Sequence, residues 1–287
     1  SALFIINTSL LEAGDELLVM HPNYGTNIET PRAMGCTVKF IELEWNNKFR
    51  IDINQLKSQI TSKTKLISIT TPHNPTGMML DENELNELIS IAEAKQIYLL
   101  VDETYRDIPF AQPLALAASK SKQVISVSSV SKAYGLPGLR LGWLITQNKT
   151  LFEKFLAAKE QINICNSVVD EELTYQFLSN KAQHLESIKS HINKNYTTLN
   201  SWISSQNDLE FVLPQGGVVC FPRLRDGIDV EKFYRVLNEK YSTYVGPGHW
   251  FEMDKRFMRI GFGWPKNEEL QEGLANISLA IQESKVH

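Results

Sequence analysis

Cysteine is scarce in this chain: Cys36, Cys165 and Cys220 are the only three in 287 residues. They are odd in number, widely spaced and without a C-x-x-C pair. The chain therefore offers neither a disulfide framework nor a thiolate zinc site, and a reducing, cytoplasmic setting is the expectation. The six histidines include no H-x-H or H-E-x-x-H spacing, so no metal centre is expected. No apolar window approaches the roughly 20 residues needed to cross a bilayer. No basic stretch precedes an apolar one at the start, as a secretory signal would require. Long basic runs are missing too, and the formal net charge is −4. Neither nucleic acid nor an anionic membrane surface finds its electrostatic footprint here. Internal repeats and low-complexity tracts are also absent. What remains is an ordinary globular composition, 43% hydrophobic, enough for one large domain or two smaller ones.

Apolar runs over 16–20, 65–71 and 97–101 read as strands, the last continuously apolar as a strand buried on both faces should be. Between them, Leu85, Leu88, Ile89 and Ala92 fall at i, i+3, i+4 and i+7, which predicts a helix over 82–96 with one apolar stripe. This alternation argues an α/β fold over 1–190, a mainly parallel central sheet flanked by helices. A longer periodic stretch over 182–205 carries Leu185, Ile188, Ile192, Tyr196, Leu199 and Ile203 on one face. It reads as a link into a smaller C-terminal α+β domain over 191–287. That domain should contain short strands around 214–218, a helix over 230–241 and a strand carrying Arg259.

The polar residues that follow the strands carry the chemistry. Residues 126–143, SVSSVSKAYGLPGLRLGW, run from an apolar strand into Lys132, a glycine-containing turn and Arg140. A lysine at the end of a buried strand loses hydration, which favours the neutral amine that condenses with a carbonyl. Ser129, Ser131 and Arg140 are suited to a dianionic phosphate. Together they suggest a phosphorylated aldehyde cofactor, pyridoxal 5′-phosphate (PLP). Other strand ends supply Tyr24, Asn74, Asp102 and Tyr105, and ligands of open α/β sheets bind outside the carboxyl ends of the strands. Asp102 against the pyridine nitrogen would keep it protonated, Asn74 and Tyr105 could donate to the ring's 3′-oxygen, and Tyr24 could stack on the ring. Arg259 offers a planar fork for a substrate carboxylate. His249 and Trp250 could line the mouth.

Taken in order, Pro22-Asn23-Tyr24, Asn74-Pro75-Thr76-Gly77, Asp102-Glu103-Thr104-Tyr105, Ser129-Val130-Ser131-Lys132 with Gly138-Leu139-Arg140-Leu141-Gly142, and Arg259-Ile260-Gly261-Phe262 resemble the PLP-dependent fold-type I aminotransferases of class I/II. The match in order and spacing extends over nearly the whole chain. The resemblance implies that Lys132 is the Schiff-base lysine, Asp102 the pyridinium partner, and Asn74 and Tyr105 the ligands of the 3′-oxygen. By the same resemblance Tyr24 is the stacking aromatic, Ser129 and Arg140 are phosphate ligands, and Arg259 grips the α-carboxylate. It further implies amino acid and 2-oxo acid substrates and a homodimer. Family members usually carry a segment ahead of this start, with a phosphate-holding turn and an arm that closes over substrate. The opening SALFIINTSLL has only Ser1 as a capping residue, so the chain reads as a fragment of a longer protein, with one phosphate anchor incomplete. Three functions stay open: an aminotransferase; a β-lyase, cyclase or decarboxylase on the same scaffold; and a PLP-binding domain with impaired or no catalysis.

Overall fold

The apolar runs become strands of one six-stranded sheet. In the computed structural model, which describes residues 2–286, these are β1 (Glu16–His21), β2 (Thr37–Glu42), β3 (Thr64–Thr70), β4 (Tyr98–Asp102), β5 (Val124–Ser129) and β6 (Gly142–Thr146). Their order is β2-β1-β3-β4-β5-β6. Neighbours pair in parallel except β5 with β6, which is antiparallel. Successive strand residues point to opposite faces, and the two cores divide accordingly. Leu17, Val19, Leu66, Leu100, Ile125 and Val127 enter one core, whereas Leu18, Met20, Ile67, Ile69, Leu99 and Val101 enter the other.

A sheet buried on both faces needs helices on both. Five follow in the first half: α1 (Ala2–Leu10), α2 (Thr26–Ala33), α3 (Ile53–Gln59), α4 (Glu82–Lys95) and α5 (Lys149–Ile162). Ile5 and Ile6 of α1, Ile28 of α2, and Leu151 and Phe155 of α5 close one face; Leu56 of α3 and Leu85 and Leu88 of α4 close the other. Helix α4 has a complete capping box, because Asp81 accepts from the Glu84 N–H while the Glu84 carboxylate accepts from the Asp81 N–H. Gln96, in the left-handed region, ends it. The Ser1 cap expected for α1 lies outside the described residues.

The second half begins with α6 (Val168–Ser179) and α7 (Lys181–Ser204). On α7, Leu185, Ile192, Leu199 and Ile203 are buried, while Ile188 and Tyr196 of the same stripe are half-buried. Beyond it, β7 (Leu209–Glu210) pairs with β9 (Arg223–Leu224), and β8 (Val219–Cys220), β10 (Gly246–Pro247) and β11 (Met258–Gly261) form a second antiparallel sheet in the order β10-β11-β8. Helices α8 (Val230–Arg235) and α9 (Asn267–Glu283) pack with it. Two details differ from the sequence reading. The helix expected over 230–241 stops as an α-helix at Arg235 and continues as one wider π turn, Val236–Lys240. The strand expected near 214–218 is a loop, because its backbone groups are bonded to other loops. Gln215 N and Gly216 N donate to Gly77 O, and Gln215 O accepts from Phe110 N and Ala111 N. Among the described residues, no helix is long and apolar enough to cross a membrane.

Leu88 is fully buried at the centre of the α4 stripe. Leu88→Ala should therefore lower unfolding free energy by about 2–5 kcal/mol, whereas Leu156→Ala, on the exposed side of α5, should change it by less than about 0.5 kcal/mol. Urea midpoints of the two variants check this.

Candidate active site

The parallel register carries β1, β3, β4 and β5 to one edge of the sheet. Thr70 pairs with Asp102, and Asp102 with Val127. The loops that follow these strands meet the second sheet there. After β3 the chain makes a tight turn in which Gly77 N donates to His73 O at 2.7 Å and His73 N to Met78 O at 2.8 Å. Inside that turn, His73 Nδ1 lies 2.8 Å from Thr76 Oγ1. Burial pushes the His73 imidazole down to about 3, so it stays neutral. Gly77 has a φ of +73°, and a Cβ there would sit 2.4 Å from Pro214 Cβ and 2.7 Å from Val219 O. Only glycine fits the position.

This turn presents Asn74 to Arg259. The Arg259 Nη1 donates to Asn74 Oδ1 at 3.1 Å, joining residues 185 positions apart. The Arg259 guanidinium lies 5.1 Å above the Phe251 ring. Its desolvation lowers its pKa, while Tyr105 and Tyr24 nearby act the other way. Tyr105 is buried, and burial pushes its phenol up to about 12, with Asp102 and Tyr24 adding to the rise and Arg259 opposing it. It remains a hydrogen-bond donor at neutral pH. Gly217, at φ +78°, brings backbone against its ring, a Cβ there lying 3.5 Å from Tyr105 Cγ. Tyr24 is 52% exposed, which leaves surface of its ring open. Asp102 retains slight solvent access, yet the dense packing round it raises its carboxyl above the usual range. Its Oδ1 accepts from Thr104 N at 3.0 Å and from Thr104 Oγ1 at 2.6 Å. Tyr24, Asn74, Asp102, Tyr105 and Arg259 thus come together from four separate strands and loops.

The residues after β5 are arranged differently. The expected desolvation of Lys132 does not hold: its side chain is exposed. The reason is local. The strand ends at Ser129, and a turn closed by Gly135 N to Lys132 O at 3.0 Å and Leu136 N to Val130 O at 3.0 Å carries Lys132 away from the packed layer. Arg140 is also exposed and donates from Nη1 to Pro137 O at 2.9 Å. Ser129 Oγ accepts from the Ser131 N–H at 3.3 Å. Ser129 stands opposite Gly142, where a Cβ would approach Ser128 O to 2.8 Å. Trp250 and His249 are both exposed, and Phe251 rather than either of them lies under Arg259.

The donor set fits PLP. Asp102 Oδ2 remains available near the neutral donors Asn74 and Tyr105 and the open face of Tyr24. The turn after β5 separately offers an accessible amine and hydroxyl and guanidinium groups of the kind that bind phosphate. The sequence reading missed three contributors. Thr104 is visible as a hydroxyl two positions after an aspartate, a spacing that forms local side-chain turns. Phe251 and the Gln215-Gly216-Gly217 loop have no local signal, since their partners are distant in sequence.

The chain is similar in sequence and fold to known aminotransferases. The family model described as aminotransferase class I and II matches residues 1–277. Capreomycidine synthase of Streptomyces vinaceus is 29% identical over 279 residues, covering 96% of this chain and 71% of that protein. An aspartate aminotransferase of Pyrococcus horikoshii is 28% identical over 282 residues, covering 96% and 72% respectively. A PLP-dependent aminotransferase structure from Streptococcus suis superposes with a TM-score of 0.93 at 28% identity, over 100% of this chain and 75% of that one.

The raised Asp102 carboxyl has a consequence for folding. Between its unfolded value of 3.8 and its raised folded value, the native chain holds a proton that the unfolded chain has released. Stability therefore falls as pH rises through that window and stays lower above it. Asp102→Asn should raise the urea midpoint of the cofactor-free chain at neutral pH, with the difference from wild type closing as pH falls below the ordinary aspartate range.

Proposed function

Since the chain belongs to the class I and II aminotransferase family, whose cofactor is PLP, we propose that it moves an amino group between an L-amino acid and a 2-oxo acid, with Lys132 as the amine that anchors the cofactor. The observation that carries this reading is the hydrogen bond from Arg259 to Asn74. It sets a carboxylate-binding fork directly beside an amide suited to the cofactor ring, so substrate and ring are addressed by one connected pair.

When bound, PLP supplies an electron sink for the pair released at the substrate α-carbon. The protein's own groups do the rest. Asp102 would keep the ring nitrogen protonated, Asn74 and Tyr105 would donate to the 3′-oxygen, Tyr24 would cover a ring face, and Ser129, Ser131 and Arg140 would hold the phosphate. Arg259 takes the substrate α-carboxylate, and its bond to Asn74 Oδ1 fixes the plane of the fork. Lys132 Nζ would hold the cofactor and serve as the general acid and base for the proton at the substrate α-carbon.

The same proposal includes two domains, 1–190 and 191–287, joined through α7, and a homodimer in a reducing cytoplasm. Support for the dimer comes from the apolar band that α5, α6 and the segment between them leave exposed, including Phe152, Leu156, Ile164, Val168 and Leu173. A second reading, a β-lyase or cyclase using the same residues, is favoured by the likeness to a protein named as a synthase. The two differ in their need for an acceptor. An aminotransferase requires a 2-oxo acid, whereas a β-lyase releases ammonia and pyruvate from a cysteine conjugate without one.

Borohydride reduction of the PLP-loaded chain should place the adduct on Lys132, and Lys132→Ala should abolish turnover; an adduct on another lysine would assign the anchor elsewhere. Arg259→Ala should lower kcat/KM for amino acids by about 10²-fold or more, mostly through KM, as expected when one member of a buried charge pair is removed. Steady-state kinetics against a panel of amino acids and 2-oxo acids read both effects.

A further inference from the structure

We propose that Thr104 is a positioning residue that fixes the Asp102 carboxylate so that Oδ2, and not Oδ1, meets the ring nitrogen of PLP. This rests on the PLP site proposed above. Among the described residues, the hydrogen bonds to this carboxylate both end on Oδ1, from Thr104 N at 3.0 Å and Thr104 Oγ1 at 2.6 Å. The backbone bond is the ordinary local turn of an aspartate, available whatever residue stands two positions later. The hydroxyl bond is not: it needs serine or threonine at this position. At 2.6 Å it falls in the range of a hydroxyl donating to an ionised carboxylate, about 2.5–2.7 Å and stronger than a neutral pair.

Two donors use the accepting capacity of Oδ1 and stop rotation about the Cβ–Cγ bond. The second oxygen is then the one left to accept. The charged and phenolic neighbours do not compete for this carboxylate by hydrogen bonding. Arg259 donates to Asn74, and Tyr105 and Asp102 are coupled through space without a hydrogen bond between them. Thr104 also opposes the environment, since burial favours the protonated acid while both of its bonds favour the carboxylate. Without the hydroxyl, a larger share of Asp102 would be protonated or rotated, and either form is a poorer acceptor for a pyridinium N–H.

Thr104→Val removes the hydroxyl at nearly constant shape, and Thr104→Ser keeps it. Two measurements separate them. Carbon-13 NMR titration of the Asp102 carboxyl in the cofactor-free chain should show its midpoint raised by about one pH unit in Thr104→Val, the equivalent of one lost charge-assisted hydrogen bond, and near wild type in Thr104→Ser. Equilibrium dialysis against PLP should show about tenfold weaker binding in Thr104→Val and binding within twofold of wild type in Thr104→Ser. Wild-type behaviour of Thr104→Val in either measurement overturns the role, as does an equal loss in both variants, which would mark a purely structural residue. A wild-type chain that takes up no PLP overturns the parent reading and this one with it. Equal uptake by all three chains overturns only the role of Thr104.

Discussion

The carbonyl oxygen of Gly77 joins the two parts of the site. It accepts from Gln215 N at 2.8 Å and Gly216 N at 3.0 Å, and so seats the loop before β8 on the turn that presents Asn74. From there the connection is continuous. Val219 of β8 pairs with Gly261 of β11, and β11 carries Arg259 to its bond with Asn74. A side chain at 77 would strike Pro214 and Val219, separating the second sheet from the first and Arg259 from Asn74. Gln215 reinforces the joint, since its Oε1 accepts from Met79 N at 3.1 Å.

Around that joint the polar groups are held in states that folding alone would not select. Desolvation disfavours charge on both Asp102 and Arg259, and each is partly compensated by hydrogen bonds to close neighbours. Tyr105 is kept as a phenol by burial, and His73 as a neutral imidazole. Hydrophobic packing elsewhere in the sheet has to offset these desolvation costs, a division of labour common to binding sites. The two cores alternate residue by residue along each central strand. The strand ends therefore sit on a rigid layer, and only the loops beyond them are free to vary.

Sequence was most informative where structure is local. The α4 stripe of Leu85, Leu88, Ile89 and Ala92 is buried as its spacing implies, and the strand-end residues Asn74, Asp102 and Tyr105 could be placed because all parallel strands share one polarity. Prediction failed where partners are remote. Nothing near 214–218 signals that its backbone would bond to Gly77 and Phe110 rather than to a strand, and no motif marks Phe251 as the ring beneath Arg259. The exposure of Lys132 is hidden for another reason. The strand before it is legible, but solvent access depends on where β5 stops, and the turn from Val130 to Leu136 begins just before the lysine.

The exposure of Lys132 sets the kinetics of its encounters. An amine in free contact with bulk water meets carbonyl compounds by ordinary diffusion, with no gate to open first. Its encounters are then governed by the concentration of the carbonyl compound rather than by an opening step. Any discrimination among such compounds must come after contact, from what the surrounding side chains can retain. Access to this amine by itself therefore separates carbonyl compounds little.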